Sequence, residues 1–297
     1  MKQSNSYRVL LPIDGSPHAQ RAAAYLAGCT GSFAISAIYV VNVQSIEEQA
    51  ALLAEGVGAP DYEERGLQAT ADARRVLDAA RLPNSLTTLL GDPAAVIVRT
   101  AEEEEVDEII MGSRSKDGLG DVIGSVAYKV IHRARIPVTI VPAQREGVKP
   151  QPPVDAVHRI LLAMDGSEHA ERAIEFVSRL QSATAPVEVE LLNVQPTFPQ
   201  GYVRGMLSEE MLASYQSEET VTALNAAAEV LEAAGMSSKV RVVSGDIADE
   251  IVKVASNLHC ARIVMGTRGL TPVAGMVLGS VAYKVLHLSP IPVTLVK

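Results

Sequence analysis

Apolar positions along the chain follow two rhythms. Short β-branched runs predict strands near 7–13, 35–43, 85–90, 107–111 and 136–141, and again near 159–164, 187–194, 238–243, 261–265 and 291–296. Between them lie longer stretches of helical period, among them one with Leu52, Leu53 and Leu77 and an Ala-rich run from Ala226 to Ala234, both expected to turn a face to a core. Helix starts are marked by Ser16 before Pro17, Asp92 before Pro93, and Asp246 with Asp249 three positions on. Strand and helix in alternation predict a parallel sheet covered by helices, with ligands beyond the carboxyl ends of the strands.

The pattern is written twice. Arg8 to Ala22, RVLLPIDGSPHAQRA, returns as Arg159 to Ala173, RILLAMDGSEHAERA. GSVAYKV occurs at Gly124 to Val130 and at Gly279 to Val285, each followed by IPVT, at Ile136 to Thr139 and Ile291 to Thr294. A Pro-rich polar stretch between the copies, Pro142 to Val154, has no apolar period and reads as a linker. The expected organisation is therefore a domain at 1–142, a linker at 143–157 and a second domain at 158–297. Each domain is an α/β, Rossmann-like, five-stranded parallel sheet flanked by helices.

Composition narrows the function. The chain is 47% hydrophobic with 4% aromatic residues and no Trp, so its cores rest on Ala, Val, Ile and Leu. With 26 Lys and Arg against 35 Asp and Glu it lacks the basic face and aromatic platforms of a nucleic-acid binder. Two distant cysteines, Cys29 and Cys260, fit a reduced compartment. A polar start and no apolar stretch of the roughly 18 residues a membrane span needs make a cytoplasmic protein without membrane contact the expectation. No two histidines share H-x-x-x-H spacing, and His259 beside Cys260 is poor metal-ligand geometry. Glu102 to Glu105 with Asp107 and Glu108 read as a solvated helix end.

Candidate chemistry lies after the fourth strand of the second copy. There Met265-Gly266-Thr267-Arg268-Gly269 is followed, after nine residues, by Gly279-Ser280 at a helix start. Glycines there admit close backbone approach and positive φ, and a Ser-capped helix start offers N–H groups to an anion. Arg268 is the lone charged side chain of the segment, so phosphate affinity would come from backbone donors. In the first copy Gly112-Ser113-Arg114 is followed by Ser115 where the second Gly belongs. Eight residues, Asp117 and Asp121 among them, then precede Gly124-Ser125. A Gly-rich turn, or the Asp-Gly-Ser turns at Asp14 and Asp165, could equally be plain turn chemistry.

Taken together and in order, the D-G-S opening and the closing P-V-x-x-V strand, both present twice, and G-x-x-G-x(9)-G-S after a Met-ended strand, complete in the second copy, resemble the ATP-binding subclass of the universal stress protein family. The resemblance implies that Asp165 approaches a nucleoside and backbone at Val194 holds the adenine. It also implies that Gly266, Gly269, Gly279 and Ser280 surround the phosphates beside Met265, and that Mg²⁺ accompanies the triphosphate. Asp14, Val43, Gly112, Gly124 and Ser125 mark a weaker site in the first copy, for a smaller nucleotide, for weak binding or for none. The resemblance further implies that the last strands pair in an internal pseudo-dimer, with a homodimer as the further assembly. There is no Gly-Lys dipeptide for a Walker A loop, no G-x-S-x-G elbow and no obvious general base. The functional expectation is an ATP-dependent stress-response switch or interaction module. A slow ATPase or phosphotransferase and a nucleotide-free scaffold are the alternatives.

Overall fold

The computed structural model describes residues 7–30, 34–47, 50, 62–113, 123–143, 158–180, 186–196, 218–269 and 278–297. The chain divides into two compact units, Met1–Glu146 and Gly147–Lys297. The first contains β1 (Tyr7–Pro12), α1 (Pro17–Gly28), β2 (Ile35–Gln44), α2 (Tyr62–Ala79), β3 (Asn84–Leu90), α3 (Pro93–Glu103), β4 (Glu108–Gly112), α4 (Ser125–Arg133) and β5 (Val138–Val141). The second contains β6 (His158–Ala163), α5 (Glu168–Ser178), β7 (Val187–Pro196), α6 (Glu218–Ala233), β8 (Ser237–Gly245), α7 (Ile247–Asn257), β9 (Arg262–Gly266), α8 (Ser280–Leu288) and β10 (Val293–Val296). Strand bounds lie within two residues of those read from the apolar pattern. Leu52 and Leu53 lie outside the described residues.

All strand pairs within each unit are parallel. In the first unit the order is β3-β2-β1-β4-β5, and in the second β8-β7-β6-β9-β10. The chain builds outward from β1, then returns to the other side of it with β4, so the order reverses between these two strands. Crossover connections on opposite sides of that line leave a crevice at their carboxyl ends. The same crevice lies between β6 and β9.

Helix starts follow local chemistry. The Asp92 carboxylate accepts from Ala95 N at 2.8 Å and Asp246 from Asp249 N at 3.2 Å. Each satisfies a first-turn N–H that the helix cannot pair itself. Asp92→Ala should therefore cost about 1 kcal/mol in urea unfolding. Its half-exposed pairs with Arg133 (3.2 Å) and Lys129 (3.9 Å) add little. An unchanged midpoint would show that the cap is idle.

Two expectations need correction. Glu108 is not part of a solvated helix end: as the first residue of β4, an inner strand between β1 and β5, it is fully buried, taking Tyr7 Oη at 2.7 Å and the Thr139 hydroxyl. Its neighbours behave as expected, with Glu102, Glu103 and Glu105 exposed. In α6 the core face is Leu224, Ala227 and Leu231, spaced three and four apart, while Ala226 is exposed.

Candidate nucleotide site

The Asp-Gly-Ser tripeptides build the floor of each crevice. Asp14 Oδ1 accepts from Ser16 N at 2.9 Å, and Ser16 Oγ caps α1 by accepting from Ala19 N at 3.1 Å. In the second unit Asp165 Oδ1 accepts from Ser167 N at 3.0 Å, and Ser167 Oγ caps α5 through Ala170 N at 3.3 Å. Gly15 and Gly166 both sit at φ +80°, which explains glycine at these two positions. The Asp residues thus do serve as turn residues, and the turn bond uses Oδ1.

A second wall comes from the ends of β4 and β9. A Cβ on Gly266 would lie 2.7 Å from His169 Cβ, and one on Gly112 would lie 2.6 Å from the His18 carbonyl. A Cβ on Gly269 would lie 2.5 Å from Asp165 Oδ2. None of these three glycines has the positive φ expected of them. They are needed because strand and loop backbone lie against the start of the first helix of the unit, leaving no room for a side chain. Both loops close alike: Gly124 N donates to Ser113 O at 2.7 Å, and Gly279 N to Thr267 O at 2.8 Å. Residues 114–122, with Ser115, Asp117 and Asp121, and residues 270–277 lie outside the described residues.

The expected Ser cap is also corrected. Gly279 is the N-cap of α8 and Gly124 that of α4, neither with a side-chain capping bond; Ser280 and Ser125 are first helical residues, both exposed. First-turn N–H groups without a capping side chain suit an anion better than capped ones.

At the opposite end of the crevice, Asn42 Nδ2 donates to Ile13 O at 2.6 Å and Asn193 Nδ2 to Met164 O at 2.8 Å. These asparagines fix the strand that carries Val43 or Val194. Gln44 Nε2 donates to Asn42 Oδ1, whereas Asn193 Oδ1 is buried without a partner. Thr267 Oγ1, Arg268 Nε and His169 Nδ1 are likewise buried and unpaired. Burial, then Arg172 and Arg268, hold the His169 imidazole below its usual pKa. A neutral imidazole beside residues 266–268 can accept a proton, and sequence reasoning missed it. Its signal was the histidine repeated at His18 and His169, three residues after each Gly of the D-G-S turn.

In the first unit the crevice is a cavity of about 770 Å³. Asp14, Val43, Gly112 and Gly124, named from the sequence, all line it, together with Arg65 and Asp72 of α2, which were not foreseen. Asp165, Gly266 and Gly269 are likewise brought together in the second unit, with Met265 buried beneath them. Among the described residues no group of three or more His, Cys, Asp or Glu could hold a metal ion. Among them, too, no helix is long and apolar enough to cross a membrane.

Doubly wound α/β units, each with a crevice at the strand ends where the strand order reverses, define a duplicated α/β fold. The model of the universal stress protein family matches residues 6–142 and 156–297, and the chain belongs to that family as two tandem domains. A universal stress protein of Methanocaldococcus jannaschii is 32% identical over 45% of this chain and 81% of its own length. One from Thermus aquaticus is 32% identical over 46% of this chain and 97% of its own. Among solved structures, a universal stress protein from Archaeoglobus fulgidus DSM 4304 matches with a TM-score of 0.68 at 24% identity. The match covers 99% of both chains, a likeness of fold across the whole length.

Proposed function

We propose that the second domain binds ATP and that the protein works as a nucleotide-dependent switch or interaction module. The observation that carries this reading is the segment 266–269 at the end of β9. Its backbone lies against Asp165, its end is pinned by the Gly279 to Thr267 bond, and buried polar atoms of Asn193, Thr267 and Arg268 are left without partners. Such atoms in a native fold call for a partner, and a phosphorylated ligand supplies both donors and acceptors. Asp165 and the Val194 backbone would hold the nucleoside. Gly266, Gly269, Gly279 and Ser280, beside Met265, would surround the phosphates, with the Gly279 N–H kept by Thr267 O and the N–H groups of the first turn of α8, from Ser280 on, left to bind them. Mg²⁺ would arrive with the triphosphate, bound by phosphate oxygens and water.

Titrating ATP into the full chain in the presence of Mg²⁺ tests the reading directly, and absence of saturable binding overturns it. His169 supports the second reading, a slow ATPase, because an uncharged imidazole could take a proton from an attacking water. Turnover should nevertheless fall well below the roughly 1 to 100 per second of kinases, since the sequence from Met265 to Ser280 carries no lysine. A kinase-like rate would make the enzyme reading the right one.

A further inference from the structure

Helix α2 and its counterpart α6 are where the two domains part. Aligning the buried pairs Ala73 with Ala227 and Leu77 with Leu231 sets their register. Position 65 then holds Arg in the first domain and Glu219 in the second, and position 72 holds Asp against Ala226. In the first domain both side chains line the 770 Å³ cavity that also contains Asp14 and Val43. Asp72 is already engaged, by Arg75 Nη1 at 2.7 Å and by Gln20 Nε2 at 3.4 Å. Arg65 is not: its Nη1 is buried and has no hydrogen-bond partner.

A guanidinium nitrogen stranded in this way is costly unless an acceptor meets it, and its planar fork matches phosphate oxygens. The loop of this domain departs from that of the second in its sequence. It is one residue shorter, and Ser115 brings a Cβ at the position where the second domain, at Gly269, has no room for one. Asp117 and Asp121 stand against Arg114 and Lys116 in its sequence, so it offers no net positive charge, and among the described residues that line the cavity the cation is Arg65, one guanidinium, enough for one phosphate.

We propose that the first domain binds a nucleoside monophosphate whose phosphate is held by Arg65, so that the two domains take nucleotides of different phosphorylation state. This rests on the reading that the matched strand ends hold a nucleoside in both domains. Occupancy of the two sites would then follow opposite ends of the same pool, one filling as triphosphate is spent and the other emptying.

The test is equilibrium binding of AMP, adenosine and ATP to the full chain as wild type, Arg65→Gln, Arg65→Lys and Gly269→Val. The Gly269→Val chain should still bind AMP, at least about tenfold more tightly than adenosine, as expected of a charge-assisted phosphate contact. Arg65→Gln should weaken AMP about tenfold and leave adenosine unchanged, erasing the preference; Arg65→Lys should restore part of it. Equal loss of both ligands in Arg65→Gln, an unaltered preference for AMP, or no AMP binding by the Gly269→Val chain overturns the inference. The ATP titration of wild type judges the second domain separately. Its failure removes the ATP reading and leaves the AMP result to stand or fall by Arg65.

Discussion

Gly269→Val is expected to weaken ATP binding by the full chain at least about 100-fold, the equivalent of roughly 3 kcal/mol, with the circular dichroism spectrum unchanged. The reason is contact. A Cβ at this position falls 2.5 Å from Asp165 Oδ2, and the Asp165 carboxylate cannot simply swing away, because its other oxygen holds the turn through Ser167 N at 3.0 Å. Valine therefore either breaks the turn that starts α5 or lifts the loop off the crevice, and both remove the proposed phosphate site. Gly269 lies outside the core, which is why the fold should persist. Undiminished ATP affinity in this variant would show that the ligand does not lie against the 266–269 backbone.

The second large effect is on stability toward acid. His158, at the start of β6, is 7% exposed, and burial, followed by the charge of Arg262, pushes its imidazole down to about 3. An unfolded histidine titrates near 6.5. Above that value neither state carries the proton, so the contribution to stability is fully present. As pH falls, the unfolded chain takes up a proton that the folded chain refuses, and stability is lost progressively down to about pH 3. At pH 4 the loss amounts to about 3 kcal/mol. Urea unfolding of wild type and His158→Leu at pH 7 and pH 4 isolates it, because leucine removes the titrating group whatever it does to stability at neutral pH. Parallel pH dependences in the two proteins would refute the assignment.

Several parts of the site were legible in the sequence because they depend on neighbours in the chain. The D-G-S turns, the caps at Ser16, Asp92 and Asp246, and the glycines that bound each loop are choices made over three or four residues, and each reappears in the structure. The reason for the loop glycines was not legible. Sequence reasoning ascribes them to positive φ and to the close approach of a ligand, whereas Gly112, Gly266 and Gly269 are needed where the ends of β4 and β9 press against the protein's own His18, His169 and Asp165. That approach joins residues about a hundred positions apart, and no local pattern reports it.

By itself the sequence determined the duplication, the alternation of strand and helix, and the location of the loops, since periodicity and turn chemistry are local and survive without knowledge of the partner strands. The tertiary structure alone decided which strands stand side by side. Because β4 returns beside β1, Glu108 is drawn from an acidic run into the interior, where Tyr7 and Thr139 meet it. For the same reason the helix that follows β2 places Arg65 on the wall of a cavity floored by Asp14, an encounter between residues that no motif links. Side chains on a helix face become part of a site only when packing brings that face to the strand ends, and packing is a property of the whole sheet.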